Sequence, residues 1–204
     1  MTQKQWYNLL LEDCCTMEVG EGGTKEFIRC KVEIASPGTD WEKSWRLARL
    51  KGLGPEHTSF LFKLLHKILP TQERLHRANS DVSQLCKAAG CSEEEDIEHS
   101  LMHCQANHQV GRNLLDVLRL HQPNLTTAAV LRLEIEVDEE FELPLVWLTA
   151  ATFLSIWEQR KTCSRVQPHL TRAQLEAKVN ILRETRLASL AIQLKDLIQN
   201  MFEQ

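Results

Sequence analysis

Three cysteines and one histidine fall within nineteen residues near the middle of the chain, at Cys86, Cys91, His99 and Cys104. Three thiolates and one imidazole make a closed tetrahedral ligand set for zinc. A Cys-x4-Cys loop can bring two sulfurs onto one metal, and His99 and Cys104 lie on neighbouring turns of a predicted helix. The cluster therefore predicts a structural Zn2+ site that ties a loop to a helix.

Two alternatives to this ligand set stay open from the sequence. The four side chains could be buried thiols and a helix histidine that hold no metal. In addition, His103 and His108 are close enough in sequence to replace His99 as the fourth ligand.

Length and cysteine usage limit the class of protein. A chain of 204 residues can bury a core as one domain or two small ones. Four of the seven cysteines lie outside the cluster, and their spacing does not suggest a disulfide framework. We therefore expect a reducing, intracellular compartment, either nucleus or cytoplasm. We expect no membrane association, because no run of eighteen apolar residues and no apolar signal core occurs.

The net charge of −4 conceals three segments of alternating sign. Residues 41–77 carry +5, residues 86–143 carry −8 and residues 144–204 carry +3. A polyanion would bind at 41–77 and at the C-terminal helix, although these charges could equally be solvated helix faces. Five acidic residues between Cys91 and His99 would repel phosphate, so the predicted zinc organises the fold while basic helices contact any nucleic acid.

Periodicity predicts a mainly α fold: a small helical domain stapled by the Cys3His zinc site. A helix is predicted over residues 6–11, and a short N-terminal β-hairpin over 16–19 and 27–34. Asp40 is the predicted N-cap of a helix through Trp41 and Trp45. Residues 138–142 are expected to form an acidic loop, with Pro144 in the first turn of the next helix. The predicted units are 1–40, 41–120 and 121–204.

A wide apolar stripe marks the C-terminus and predicts one long C-terminal helix that begins at Thr171. The stripe could pack on the body of the protein. It could also pair with a partner helix or with a second copy of the chain through residues 171–203. Its members are Leu175, Val179, Leu182, Leu190, Leu194, Leu197 and Met201.

The sequence offers no catalytic motif, so we predict that the chain is not an enzyme. A closed Cys3His set leaves no ligand position for water. No Gly-x4-Gly-Lys-Ser/Thr loop, no Gly-x-Ser-x-Gly elbow and no Asp-Asp pair occurs.

Four landmarks follow one another in a recognisable order. They are Trp41-Glu-Lys-Ser-Trp45, Phe60-Leu-Phe-Lys-Leu-Leu-His-Lys-Ile-Leu-Pro-Thr71, the Cys/His cluster and Phe153-Leu-Ser-Ile-Trp-Glu-Gln-Arg160. This order resembles the zinc-binding region that follows the polymerase core of non-LTR (LINE-type) retrotransposon reverse transcriptases. That family typically has Cys-x-x-Cys, where this chain has Cys-x4-Cys, while the His-x4-Cys end matches. The sequence leaves open whether the chain is a separate protein or a fragment.

The resemblance implies that the segment helps to bind template RNA or target DNA beside a polymerase. It also implies Cys86, Cys91, His99 and Cys104 as zinc ligands. On charge alone, the expected phosphate contacts are Lys63, Lys67, Arg74 and Arg77. A knuckle of this kind favours RNA or single-stranded DNA, yet no aromatic residue for base stacking lies inside the cluster. The alternative is a protein–protein scaffold that keeps the zinc-stapled fold and the C-terminal helix without binding nucleic acid.

Overall fold

The computed structural model describes residues 38–162, 166–185 and 187–203, and this part of the chain is helical with no strand. The mainly α prediction is confirmed. The predicted helix over 6–11 and the predicted hairpin lie outside the described residues. The helices are α1 Trp41–Leu47, α2 Pro55–Leu65, α3 Gln72–Ala78, α4 His108–His121, α5 Thr127–Leu131, α6 Glu139–Thr162, α7 Pro168–Arg183 and α8 Ala188–Phe202, with a π-helical turn at His99–His103.

Side-chain caps fix the start of three of these helices, among them α5, where the Thr126 hydroxyl accepts a hydrogen bond from the Ala129 amide at 3.2 Å. The Asp40 carboxylate accepts a hydrogen bond from the Lys43 amide at 3.0 Å, as predicted for the N-cap of α1. The Thr71 hydroxyl accepts one from the Arg74 amide at 3.3 Å and caps α3. Each cap satisfies a backbone donor that has no partner within the helix, and this is why the chain enters the helix at that residue.

Helix α6 is the centre of the fold. Every residue from 144 to 153 is buried, and the helix packs against α1, α2, the π-helical turn, α4, α7 and α8. A helix that is apolar on all sides must be surrounded by other elements. None of the helices in the described ranges is long and apolar enough to span a membrane.

The expected acidic loop before α6 is wrong. The helix already begins at Glu139, and Pro144 is its sixth residue. Negative side chains in a first turn are stabilised by the helix dipole, which favours helix here over loop. Glu142 is buried and accepts two hydrogen bonds from the Arg46 guanidinium of α1, at 2.7 and 2.6 Å. This contact between residues 96 positions apart supplies a reason for helical structure that the local sequence does not contain.

The prediction of one long C-terminal helix is also wrong, because the segment forms a hairpin of two helices. α7 ends at Arg183 and α8 begins at Ala188. Arg172 near the start of α7 bonds Glu203 just after α8, so the two helices run antiparallel. A continuous helix over this length would extend about 50 Å and leave much of its stripe in water. The fold-back buries Leu175, Val179, Leu190, Leu194 and Met201.

The buried residues of the described part form one hydrophobic cluster that runs from Trp41 to Met201. This cluster continues across residue 120, where the sequence suggested a boundary between two units. The division into 1–40, 41–120 and 121–204 stays a prediction.

His57 on α2 makes the stability of this core depend on pH. Its side chain is 3 % exposed, neither ring nitrogen has a hydrogen-bond partner among the described residues, and the ring lies edge-on to Trp147 at 5.2 Å. Burial lowers the pKa of His57 to about 4, and the positive charge of Lys178 lowers it further. The folded protein therefore favours neutral His57, whereas the unfolded chain takes up a proton near pH 6.5.

We therefore expect His57 to contribute a fall of about 2 kcal/mol in the free energy of unfolding between pH 7.5 and pH 5, because only the unfolded state protonates this ring in that range. Urea titrations at the two pH values measure the change. The variant His57→Leu should lose most of this decline, while the exposed His169→Gln should keep it. An equal decline in His57→Leu and the wild type would refute the assignment.

Candidate metal centre

The first two cysteines lie in a loop between α3 and the π-helical turn. None of residues 79–94 is buried, so apolar burial does not hold this segment in place. The backbone is paired instead: the Cys86 amide donates to the Glu93 carbonyl at 2.9 Å, and the Cys91 amide donates to the Ala88 carbonyl at 3.1 Å. Gly90 at the tip has a φ of +79°, a conformation that glycine adopts without strain. The wider Cys-x4-Cys spacing is therefore accommodated by a tight, paired loop.

The π-helical turn positions the other two side chains. The Cys104 amide donates to the His99 carbonyl at 2.8 Å, which closes a turn over five residues. In an α-helix, positions five apart are rotated by about 140° from each other, because each residue turns the chain by about 100°. A turn closed from i to i+5 brings both onto one side, and such turns occur frequently at functional sites. The predicted α-helical relation of His99 and Cys104 is thus replaced by a π-helical one.

Helix α4 supports this turn from behind. Gly111 of α4 lies so close to the turn that an added Cβ would be 3.0 Å from the Leu101 carbonyl oxygen and 3.1 Å from Met102 Cα. The Asn107 side-chain amide also donates to the Ser100 carbonyl. A small residue at position 111 is therefore required for α4 to pack against the backbone that carries His99 and Cys104.

The four side chains converge on one point. The Sγ atoms of Cys86, Cys91 and Cys104 and a ring nitrogen of His99 all lie within 4.8 Å of one another. Cys86 Sγ is 3.7 Å from Cys104 Sγ, and Cys91 Sγ is 3.4 Å from His99 Nε2. Tetrahedral zinc with ordinary bond lengths requires S···S edges of about 3.8 Å and S···N edges of about 3.6 Å. The donor set fits Zn2+, and zinc binding by these residues stays a prediction.

Burial favours the neutral forms of Cys86, Cys104 and His99 when no cation compensates them. It raises the pKa of the Cys86 thiol to about 12, and it also raises the pKa of Cys104. Burial lowers the pKa of His99, so its imidazole is uncharged near neutral pH. A divalent cation would stabilise the thiolates, and loading the site would release their protons.

The two alternative histidines point elsewhere. His103 Nε2 is 3.1 Å from Glu98 Oε1 on the exposed side of the π-helical turn. His108 Nδ1 is 3.1 Å from the Gln105 carbonyl oxygen. The structure therefore brings His99, and neither of these two, to the cysteine sulfurs.

Glu95 connects the cysteine loop to the helical body. Its carboxylate is 1 % exposed and forms an ion pair with the Arg160 guanidinium of α6, in which Arg160 Nε donates to Glu95 Oε2 at 3.0 Å. It also accepts a hydrogen bond from the Gln72 amide at 2.9 Å, at the first residue of α3. Arg160 in turn lies over the Trp157 ring at 4.5 Å. The end of the fourth landmark, Trp157-Glu-Gln-Arg160, thus has a physical role, because it holds a cation against the cysteine loop.

Sequence reasoning missed this role of Glu95. The sequence predicts only that five acidic residues between Cys91 and His99, Glu95 among them, together repel phosphate. Local sequence gives no signal that separates Glu95 from Glu93 or Glu94, which are both exposed. Only the position of Arg160, 65 residues away, distinguishes them.

The four cations expected to contact phosphate fall into two groups. Lys63 and Lys67 are exposed and form no ion pair with any described residue. Arg77 pairs with Glu73, and Arg74 is partly buried and donates to the Lys67 carbonyl oxygen at 2.9 Å. Lys67, Arg74 and Arg77 line a cavity of about 380 Å³ together with acidic Glu73, Asp96 and Glu98. The structure leaves Lys63 and Lys67 available, whereas both arginines already serve intramolecular contacts.

Comparison with known proteins supports the resemblance. Residues 29–110 match the family model described as zinc-binding in reverse transcriptase. The match covers all four side chains of the Cys3His cluster and helices α1 to α3. Searches of curated proteins and of solved structures found no match. Residues 29–110 are therefore similar to the zinc-binding region of reverse transcriptases, as the order of landmarks predicted.

Proposed function

We propose that this chain is a non-catalytic, zinc-stabilised module that binds RNA or single-stranded DNA for a reverse transcriptase. The observation that carries the proposal is the exposed set of cations on the turn after α1, on α2 and on the turn after α2, within the segment that matches the family model. Arg49, Lys63 and Lys67 are exposed and have no ion-pair partner among the described residues. Cations in this state can replace the counterions around a phosphate backbone. Thiolate ligands require a reducing compartment, so we place the module inside the cell.

The proposed role of zinc is to hold the loop and not to react. Cys86, Cys91, His99 and Cys104 would hold the ion, and four protein ligands leave no position for a water nucleophile. When bound, the ion would supply charge compensation for buried thiolates. The acidic residues around it make the loop a poor surface for phosphate, so the basic helices are the proposed contact.

The dependence of affinity on salt tests this proposal. Each phosphate contact contributes about 0.7 to the slope of log K against log salt for a single strand. The double variant Lys63→Gln/Lys67→Gln should therefore reduce the magnitude of this slope by about 1.4 and weaken binding at low salt. Fluorescence anisotropy with a labelled single-stranded RNA, repeated at several salt concentrations, measures both quantities.

The matched control neutralises two exposed cations on the C-terminal hairpin. Arg183→Gln/Lys195→Gln removes the same charge from α7 and α8 and should leave the slope unchanged. Equal slopes for Lys63→Gln/Lys67→Gln and the wild type would remove these lysines as phosphate contacts. Absence of any salt-dependent binding by the wild type would overturn the proposed function.

The protein–protein scaffold remains the second candidate, and one observation favours it. Ile181 on α7 and Ile192 on α8 are each 65 % exposed, although most of the C-terminal stripe is buried inside the chain. A partner or a second copy of this chain would therefore use these two side chains rather than the stripe. Light scattering that gives a monomer mass at high protein concentration would exclude self-association through residues 171–203.

A further inference from the structure

Three aromatic side chains, on α1, on α2 and at the C-cap of α2, form a partly exposed cluster outside the Cys3His site. The Phe62 and His66 ring centroids are 4.1 Å apart, and Trp45 lies 4.6 Å from His66 and 6.3 Å from Phe62. Phe62 is 45 % exposed, while Trp45 and His66 are partly buried. The spacing of four residues places Phe62 and His66 on the same side of α2. A ring with this much exposure beside two other rings presents an accessible aromatic surface to solvent.

The cations of the proposed function border this cluster. Lys63 and Lys67 directly follow Phe62 and His66, and Arg49 lies close enough to His66 to lower the pKa of that ring. Burial is the larger cause of the lowered pKa of His66, so the ring is neutral near pH 7. His66 therefore presents an uncharged ring, and the positive charge of this surface comes from its rim.

Aromatic rings flanked by cations match the two chemical components of an unpaired nucleotide. Bases stack on aromatic side chains with little dependence on sequence, and the cations contact the phosphates. A duplex buries the faces of its bases, so it can use the cations but not the rings. An acidic peptide could likewise pair with the cations but has no bases to stack.

We propose that the surface of Trp45, Phe62 and His66, rimmed by Arg49, Lys63 and Lys67, binds unpaired bases of RNA or single-stranded DNA by stacking on Phe62. This inference rests on the proposed function and adds to it the preferred strand state and the side chain that distinguishes it. It also supplies the stacking residues that the Cys3His cluster lacks. The Cys/His loop has no aromatic residue, but the stacking residues lie on the helices that precede it.

Two substitutions at Phe62 distinguish the effect of base stacking on affinity from the effect of side-chain packing, and neither of them changes the charge. Phe62→Leu keeps an apolar side chain of similar size and removes the aromatic face, whereas Phe62→Tyr keeps the face. Binding is measured with a single-stranded RNA of about a dozen nucleotides that carries 2-aminopurine, whose fluorescence is quenched by stacking, and with a duplex of the same length. Ile192→Ala on α8 is the matched control at another exposed apolar side chain.

We expect Phe62→Leu to bind the single strand about 5- to 100-fold more weakly and to lose the quenching, because one stacked base is worth about 1–3 kcal/mol. Its salt slope and its affinity for the duplex should be unchanged, since no cation is removed. Phe62→Tyr and Ile192→Ala should behave as the wild type. Circular dichroism checks that each variant is folded, and His66→Leu repeats the test at the second ring.

The outcomes distinguish this inference from the proposed function. Wild-type binding that depends on salt, together with unchanged affinity and quenching in Phe62→Leu and His66→Leu, would overturn the stacking surface alone. Equal loss of single-strand and duplex affinity would also overturn it, because the rings would then act only through the fold. A wild type that binds no nucleic acid would overturn both proposals.

Discussion

Removal of zinc by a strong chelator is expected to release residues 79–94 from the helical body while the π-helical turn and the helices around α6 stay folded. No residue from 79 to 94 is buried, so little apolar burial offsets the entropy of ordering this segment. Structural zinc sites supply about 10–16 kcal/mol in small zinc-binding peptides at neutral pH. Helix α6, by contrast, is held by a continuous apolar core. The Cys3His side chains do not belong to that core.

Hydrogen exchange followed by mass spectrometry measures this response. The amides of Cys86, Cys91 and Glu95 donate to backbone carbonyls inside the loop and should lose protection on chelation. Peptides from α6 should keep theirs. Simultaneous loss of protection in both regions would show that zinc holds the whole fold, and no change in the loop would show that zinc does not hold it.

A pair of histidine variants tests the ligand set itself. The purified protein should contain about one zinc per chain, and His99→Ala should bind it at least about 100-fold more weakly, because the loss of residues that only support a ligand already costs about 10- to 100-fold. His103→Ala is the matched control, since its ring contacts Glu98 on the exposed side of the same turn. Equal zinc affinity in the two variants would refute His99 as a ligand. Competition with a chromophoric chelator gives both affinities.

Substitution of Arg160 by methionine is expected to destabilise the folded protein by about 3–5 kcal/mol, because it leaves the carboxylate of Glu95 buried without its cation. The loss should lower the midpoint of thermal unfolding by roughly 10 °C for a chain of this size. Urea unfolding at pH 7.5 measures the free energy. The double variant Glu95→Gln/Arg160→Met should be more stable than Arg160→Met, since no charge then remains buried alone.

The adjacent residue provides the control. Lys161 pairs with Glu158 on the same helix, and both side chains are about half exposed. An exposed pair contributes at most about 1 kcal/mol, so Lys161→Met should unfold close to the wild type. Equal stability of Arg160→Met and Lys161→Met would show that the Glu95–Arg160 pair does not hold the loop to α6.

Much of the local structure could be predicted because its causes lie within a few residues of one another. Asp40 and Thr71 cap their helices through amides three residues ahead, and the apolar period places the core-facing side of each helix. The predictions that were wrong share a different cause. Glu142 lies in the first turn of a helix and not in a loop, with Arg46 of α1 as its partner. The C-terminal segment folds back because Arg172 bonds Glu203 and the buried stripe of α7 packs on α8.

The sequence by itself determined the mainly α fold, the composition of the Cys3His set and the similarity of residues 29–110 to the zinc-binding region of reverse transcriptases. Each of these depends on spacing along the chain or on the order of short motifs. Only the tertiary structure decided that a π-helical turn aligns His99 with Cys104, that Glu95 pairs with Arg160, and that Trp45 joins Phe62 and His66. Side-chain periodicity reports which face of a helix is apolar, but it carries no information on which distant residue meets that face. That choice is made when the helices pack around α6 and the buried charges have to find partners.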